Sequence, residues 1–453
     1  MARRKDKLSL GAFLLFTGHH VAAWRSKDAS DSQTLQDFVQ FARLAEDAKF
    51  DAVFLADQVG VKIDRLNAAS RKAHTGVYPF EPLTLLSALS AVTSRIGLVA
   101  TVSTSYNEPF NVARQFASLD RLSGGRAGWN LVTSTDASAA LNFNHDGLIP
   151  HADRYARAEE FADVVNGLWD SWEEGAFLRD RADGRYFDPA KLHVLDHRGR
   201  HFKVRGPLNI PPAPQGRPVY VQAGSSEDGR AFAARFAEAI FTAHQTLASA
   251  QEFYADIKRQ ARALDRNPDH VKILPGISPF IGSTQAEADR LQEEFNDLIQ
   301  PEYSLVQLRQ MLGLDLSGFD LDGPFPRHLI ETDGARGVAS RFKLVVDIVD
   351  REKPTIRQLI QRLAGARGHW VIAGPPEKIA DNIQTWFENG AADGFNVMPP
   401  WLPGGFDLFA EHVVPILRKR GLFREEYSGK TLREHYGLER PASLYSHQVQ
   451  AIA

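Results

Sequence analysis

The chain has 453 residues, 43% hydrophobic and 24% charged, an ordinary balance with ample apolar material for a large core. Its 53 basic and 56 acidic residues are well mixed and give a formal net charge of −3, so no basic stripe offers itself to nucleic acid or an anionic membrane. There is no cysteine, which excludes disulfides, thiolate metal sites and a cysteine nucleophile and fits a reducing cytoplasm.

At the N-terminus, Arg3, Arg4 and Lys5 lead into an apolar run over 8–16. Ser9 and Gly11 interrupt that run and His19-His20 follow it, so it reads as a first β-strand and not as a secretion signal or membrane span. Strand-like runs then occupy 10–16, 52–56, 96–102, 127–132, 219–222, 239–242, 273–277 and 394–398. Helical period fills the gaps between them. Leu35, Phe38, Ala42 and Ala45 share one face, as do Leu83, Leu86 and Leu89. Tyr155, Ala158, Ala162, Val165, Trp169 and Trp172 step by three and four, and Pro376 opens a helix that carries Ile379, Ile383 and Trp386 up to Gly390.

Strands that alternate with helices in this way predict an α/β protein, a single (β/α)8 TIM barrel with insertions spanning 1–453; a doubly wound open sheet is the alternative. Three segments depart from the alternation. Residues 181–218 are rich in Pro, Gly and His and read as an excursion with extended pieces. Residues 300–353 read as a long irregular insertion between the seventh and eighth strands, either a lid or an oligomer arm, and 417–453 as a tail.

Familiar catalytic signatures are missing: there is no G-x-G-x-x-G after the first strand, no P-loop, no H-E-x-x-H and no G-x-S-x-G. The most informative stretch is VYVQAGSSEDGR at 219–230, where a strand ends in Gly224, Ser225 and Ser226 follow, and a helix begins. Free backbone N–H groups, the helix dipole and two hydroxyls suit a phosphate there, and either serine also serves as a plain helix cap. His151 and Tyr155 lie four apart on one helical face. Asp57 ends the second strand, Thr101, Ser103 and Thr104 end the third, and His19 and His20 follow the first. In a barrel these strand ends converge on the face where chemistry sits. His193, Asp196 and His197 lack the spacing of metal ligands, so no metal site is expected.

These blocks also carry a resemblance. AWR at 23–25, KFDAVFLAD at 49–57, EPLTLLSALSAVT at 81–93, LDRLSGGRAGWNLVTS at 119–134, HADRYARAEEF at 151–161, GPLNIPPAPQGRPVYVQAGSS at 206–226 and ADGFNVMPPWLPG at 392–404 run nearly end to end. Together they resemble the bacterial luciferase-like flavin monooxygenases, in the branch of the nitrilotriacetate, dibenzothiophene-sulfone and long-chain alkane enzymes. The resemblance implies a (β/α)8 barrel that oxidises a small organic substrate with FMNH2 and O2 through a flavin C4a-peroxide. It implies FMN supplied reduced by a separate NAD(P)H:flavin reductase, and a homodimer or homotetramer. It places Asp57, Thr101 or Ser103, His151, Tyr155 and Ser226 at FMN-contacting positions, with Ser225 adjacent, and makes His19 or His20 catalytic.

The chain departs from that pattern at Lys62 and Gly76, where the alkane enzyme's pocket has tyrosine and glutamine, and at Pro211-Pro212, where an arginine is usual. Phe13, Phe16, Lys62 and Phe80 do not choose a substrate. A deazaflavin (coenzyme F420)-dependent oxidoreductase on the same barrel, or a non-catalytic flavin-binding protein, are the competing readings.

Overall fold

The computed structural model describes residues 6–30, 33–61, 63, 66–73, 77–224, 226–330 and 339–445. Parallel strands β1 (Ser9–Leu14), β2 (Ala52–Leu55), β3 (Gly97–Ser103), β4 (Ala127–Val132), β5 (Val219–Gln222), β6 (Ala239–Thr242), β7 (Lys272–Ile281) and β8 (Gly394–Val397) each pair with the next. β8 returns to β1 through Ser9↔Gly394 to Ala12↔Val397, which closes the barrel and removes the open-sheet alternative. The eight strands expected from the sequence are these eight.

Alternation along each strand builds two layers of core. Phe13, Phe54, Val99, Val221 and Phe241 point into the barrel, while Leu10, Leu14, Val53, Leu98 and Trp129 face the surrounding helices. The interior is too tight for side chains everywhere. A Cβ on Gly11 would lie 2.6 Å from Asn396 Oδ1.

A further strand, Trp370–Gly374, extends the sheet beside the C-terminal half of β7, from Trp370↔Ile277 to Gly374↔Ile281. The sequence reading passed over it, because a five-residue apolar run leading straight into a helix has no period of its own.

The described part of the 300–353 insertion is helical at both ends and irregular between them. It contains helices Pro301–Leu312 and Ala339–Glu352, which pack with Ile356–Ala364 around a separate apolar cluster that includes Leu308, Leu312, Val345, Ile348, Leu359 and Ile360. Gly313, Gly318 and Gly323 made the stretch read as loop. The cluster sits on the C-terminal rim: Val21 N–H donates to the Ala364 carbonyl at 3.0 Å, and Lys72 Nζ to Tyr303 Oη at 3.2 Å.

The tail is the barrel's floor. Gly97 and Gly128 leave a hole that Leu432 fills, since Cβ atoms on those glycines would lie 2.4 and 3.0 Å from its methyls. Arg433 clamps this plug by a two-pronged bond to Glu238, at 2.6 and 3.0 Å. In the 181–218 excursion, His197–Arg198 and Lys203–Val204 form a small antiparallel hairpin. There His193 and His197 each take a single carboxylate, Glu173 at 2.6 Å and Glu160 at 2.9 Å. Among the described residues no helix is long and apolar enough to cross a membrane.

Candidate active site

The C-terminal ends of the barrel strands converge on one mouth, and the residues singled out in the sequence fall into two groups around it. The first gathers at the end of β5. Ser226 caps helix Glu227–Phe236, its Oγ accepting from Gly229 N–H at 3.2 Å. Gly224 lies against Gly229 so closely that a Cβ on either would come within about 3.0 Å of the other's Cα. This draws the strand end under the first turn of the helix. The amides of Glu227 and Asp228, which precede the capped position, are what an anion would meet there.

His151 and Tyr155, on helix His151–Trp169, reach the same corner. Their rings are 5.0 Å apart, Tyr155 lies 6.1 Å from Phe232, and His151 Nδ1 lies 3.1 Å from Asp228 Oδ2. The helix cap and the convergence with His151 and Tyr155 are therefore both present. Ser225 lies outside the described residues, as do Lys62 and Gly76.

Between the two groups, β2, β3 and β4 contribute polar residues of different standing. Thr101 is engaged inside the wall: its hydroxyl donates to the Leu55 carbonyl at 2.7 Å and accepts from Asn130 Nδ2 at 2.8 Å. Ser103, nearer the rim, shares a 2.7 Å bond with Ser134 Oγ and accepts from Ser105 N–H at 3.1 Å. Asp57 accepts from Gln58 N–H at 2.8 Å, and burial raises its pKa, with repulsion from Glu81 adding to the shift.

Arg154 was overlooked, although it lies inside the HADRY block. Its Nη1 donates to the Ser134 carbonyl at 2.6 Å, while its buried Nε has no partner. The buried Tyr106 Oη is orphaned too. Orphaned donors beside Tyr155 suit a polar ligand such as a ribityl phosphate, so the residues present fit the flavin that the sequence implies.

The second group stands at the end of β1. His19 and His20 are both 2% exposed, but they face different surroundings. His20 is packed edge-on against Phe280 and Phe295, receives Ala22 N–H on Nδ1 at 3.2 Å, and is pushed down to about 4 by burial. His19 lies over the barrel's aromatic interior, 4.5 Å from the ring of Phe13, which in turn meets Phe54 and Phe241.

Arg367 Nη2 is 3.2 Å from His19 Nδ1, and His19 Nε2 is 3.0 Å from the Phe13 carbonyl. A guanidinium only donates, so Nδ1 accepts and the proton sits on Nε2, which donates to the carbonyl. His19 is thus held in one neutral tautomer. Nothing in a single sequence points to Arg367, except that it stands in a Gly-Ala-Arg-Gly turn (365–368). Tyr78 completes the rim near Asp57 and Arg367; burial raises its pKa, Arg367 pulls it down, and Asp57 pushes it up.

The arrangement joins an anion corner under β5 to a fixed histidine on β1, across a mouth floored with phenylalanine. A family model described as luciferase-like monooxygenase matches residues 12–393. The chain is 52% identical over 450 residues to N-acetyl-S-(2-succino)cysteine monooxygenase of Bacillus subtilis, covering 98% of this chain and 100% of that one. It is 46% identical over 448 residues to nitrilotriacetate monooxygenase component A of Aminobacter aminovorans, covering 96% and 97%. The crystal structure of a long-chain alkane monooxygenase superposes with a TM-score of 0.83 at 34% identity, covering 96% of each chain.

Proposed function

The chain belongs to the luciferase-like monooxygenase family and is a flavin-dependent monooxygenase of the two-component kind; from that premise we propose that its flavin is FMN, taken up already reduced from a separate NAD(P)H:flavin reductase. The observation that carries this reading is the corner where His151, Tyr155 and the Ser226-capped helix start meet, a place built for a phosphate. The absence of a dinucleotide fingerprint supports an outside source of reducing equivalents.

Reduced FMN supplies the reaction with O2 when bound, and the chain's own residues do the rest. In this reading Ser226, Tyr155 and His151 would hold the phosphate end. Asp57 and Ser103, at the ends of β2 and β3, would hold the ring system, and Thr101 braces the wall between Leu55 and Asn130. His19 presents its ring over the aromatic interior, with Nδ1 held by Arg367 and Nε2–H held by the Phe13 carbonyl, and His20 is a packing residue. The apolar helices of the 300–353 insertion would shield the mouth from water.

The test begins with the chain alone: purified and mixed with NADH and FMN, it should oxidise no NADH, and adding a flavin reductase should start oxygen uptake. Anaerobic titration with FMNH2 should give saturable binding. Robust NADH oxidation by the chain alone would overturn the reading.

A further inference from the structure

The barrel mouth holds two guanidinium groups that meet no carboxylate among the described residues. Three other arginines of this chain show the two ways in which a guanidinium is satisfied inside it. Arg217 meets Asp170 and Arg433 meets Glu238. Arg126 instead gives its donors to the oxygens of Ser90, Thr93, Ile96 and Ser123. Arg367 does neither. Its Nη2 donates to His19 Nδ1 at 3.2 Å, its Cζ lies 5.8 Å from the centre of the Phe13 ring, and its Nε and Nη1 meet no acceptor among the described residues.

Arg341, on helix Ala339–Glu352, donates to the carbonyl of Arg367, and among the described residues it too meets no carboxylate. Each cation disfavours the other, and burial lowers both pKa values, Arg341 to about 10. The titratable groups beside Arg367 are the phenols of Tyr78 and Tyr303, and the imidazole of His369 lies near both cations.

The backbone is bent to hold the arrangement. Arg367 has φ +55° and Gly368 φ +93°. A left-handed arginine is uncommon, and such residues persist where the surrounding structure needs the side chain in one place. Here that place is beside His19 and above Phe13.

We infer that Arg367, reinforced by Arg341, anchors a carboxylate of the substrate, so that the molecule oxidised in this barrel is a small organic acid. The inference rests on the flavin monooxygenase reading and narrows its substrate class. A planar fork of donors matches a carboxylate in two parallel bonds, and a pair of cations suits a molecule with more than one acid group. The FMN phosphate is not the anion concerned. Ser226 follows β5 and His19 follows β1, and in a barrel of eight strands those two lie on opposite sides. A phosphate held under β5 would leave Arg367, across the mouth, for the substrate's charged end.

The test uses the full chain loaded with FMN. Succinate, tricarballylate, thiodiglycolate and iminodiacetate, each beside its methyl ester, are titrated calorimetrically into wild type, Arg367→Gln, Arg367→Lys and Arg341→Gln. At least one acid should bind wild type about 30-fold more tightly than its ester, and Arg367→Gln should abolish most of that preference while ester binding holds. Arg367→Lys should recover part of it, because it keeps the charge and loses the fork. Arg341→Gln should weaken the acid about 3- to 10-fold.

Two results would overturn the inference: no acid preferred over its ester by wild type, or a preference that survives Arg367→Gln. An arginine that only supported His19 would lose acid and ester alike on substitution. FMN titration on the same samples separates the two levels of the argument. Failure of wild type to bind FMN counts against the flavin reading, and FMN binding without acid preference counts against the anchor alone.

Discussion

Substituting Ser226 twice, once to alanine and once to aspartate, separates its two roles. In the structure its Oγ accepts from Gly229 N–H at 3.2 Å, which makes it a helix cap. Removing such a cap lowers stability by about 1 kcal/mol. In the FMN-bound protein Ser226→Ala also removes one hydrogen bond to a charged phosphate, about 1.5–3 kcal/mol. The FMN dissociation constant should therefore rise about 10- to 100-fold. Both losses run in the same direction, so alanine alone does not distinguish them.

Ser226→Asp does. Aspartate caps as well as serine and is favoured at a helix N-terminus, so unfolding in urea should hold or improve by a few tenths of a kcal/mol. Its carboxylate would face a phosphate, and at about 5 Å with an effective dielectric near 20 each pair of unit charges repels by about 3 kcal/mol. The helix start already carries two acids, Glu227 and Asp228, the latter 3.1 Å from His151, and a third carboxylate would add to their repulsion of a phosphate. FMN affinity should fall at least about 100-fold while the urea midpoint stays. FMN titration by fluorescence and urea unfolding on the same preparation decide the matter. If Ser226→Asp binds FMN within about threefold of wild type, the phosphate is elsewhere and Ser226 is only a cap.

Leu432→Ala should destabilise by about 2–5 kcal/mol, towards the upper end because Gly97 and Gly128 have no side chains to close the hole; an unchanged urea midpoint would show that the tail is not the floor. His19→Asn should lower oxygenation about 100- to 10,000-fold with FMN binding intact, whereas His20→Asn should reduce stability and spare turnover; the reverse pattern would transfer the role to His20.

Burial pushes His20, His244 and His435 each down to about 4. As pH falls from about 6.5 to 4 the unfolded chain therefore takes up protons that the fold refuses, with a loss of up to about 3 kcal/mol per histidine. Asp120, raised to about 6, works the other way, since its contribution is present at low pH and lost as pH rises through 6; three histidines outweigh it. Urea unfolding at pH 7 and pH 5 should differ by several kcal/mol, His435→Gln should flatten the difference, and a level profile in wild type would refute the assignment. Leu308→Ser, in the cluster above the mouth, should raise the fraction of NADH lost to H2O2 without weakening FMN binding; tight coupling in this variant would make the insertion a spacer and not a cover.

The sequence by itself determined the barrel. Each strand is a short β-branched or apolar run whose period of two is a local property, and helices such as His151–Trp169 carry their own three-and-four spacing. It also brought out Gly224, Ser226, His151 and Tyr155, because they lie in two short segments whose residue types suit an anion. Trp370–Gly374 was hidden because its identity comes from the neighbouring edge of β7 and not from a pattern of its own. The insertion's helices were hidden because glycines between them mask the spacing of Leu305, Leu308 and Leu312.

Adjacent residues such as His19 and His20 have no distinguishing local signal. What separates them is that one faces Phe13 and Arg367 and the other faces Phe280 and Phe295. Arg367 is 348 positions from His19 in the chain, and no periodicity reaches that far. Only closure of the barrel, with β8 paired to β1 and the insertion folded over the rim, brings that guanidinium to that imidazole and puts the pair opposite the phosphate corner.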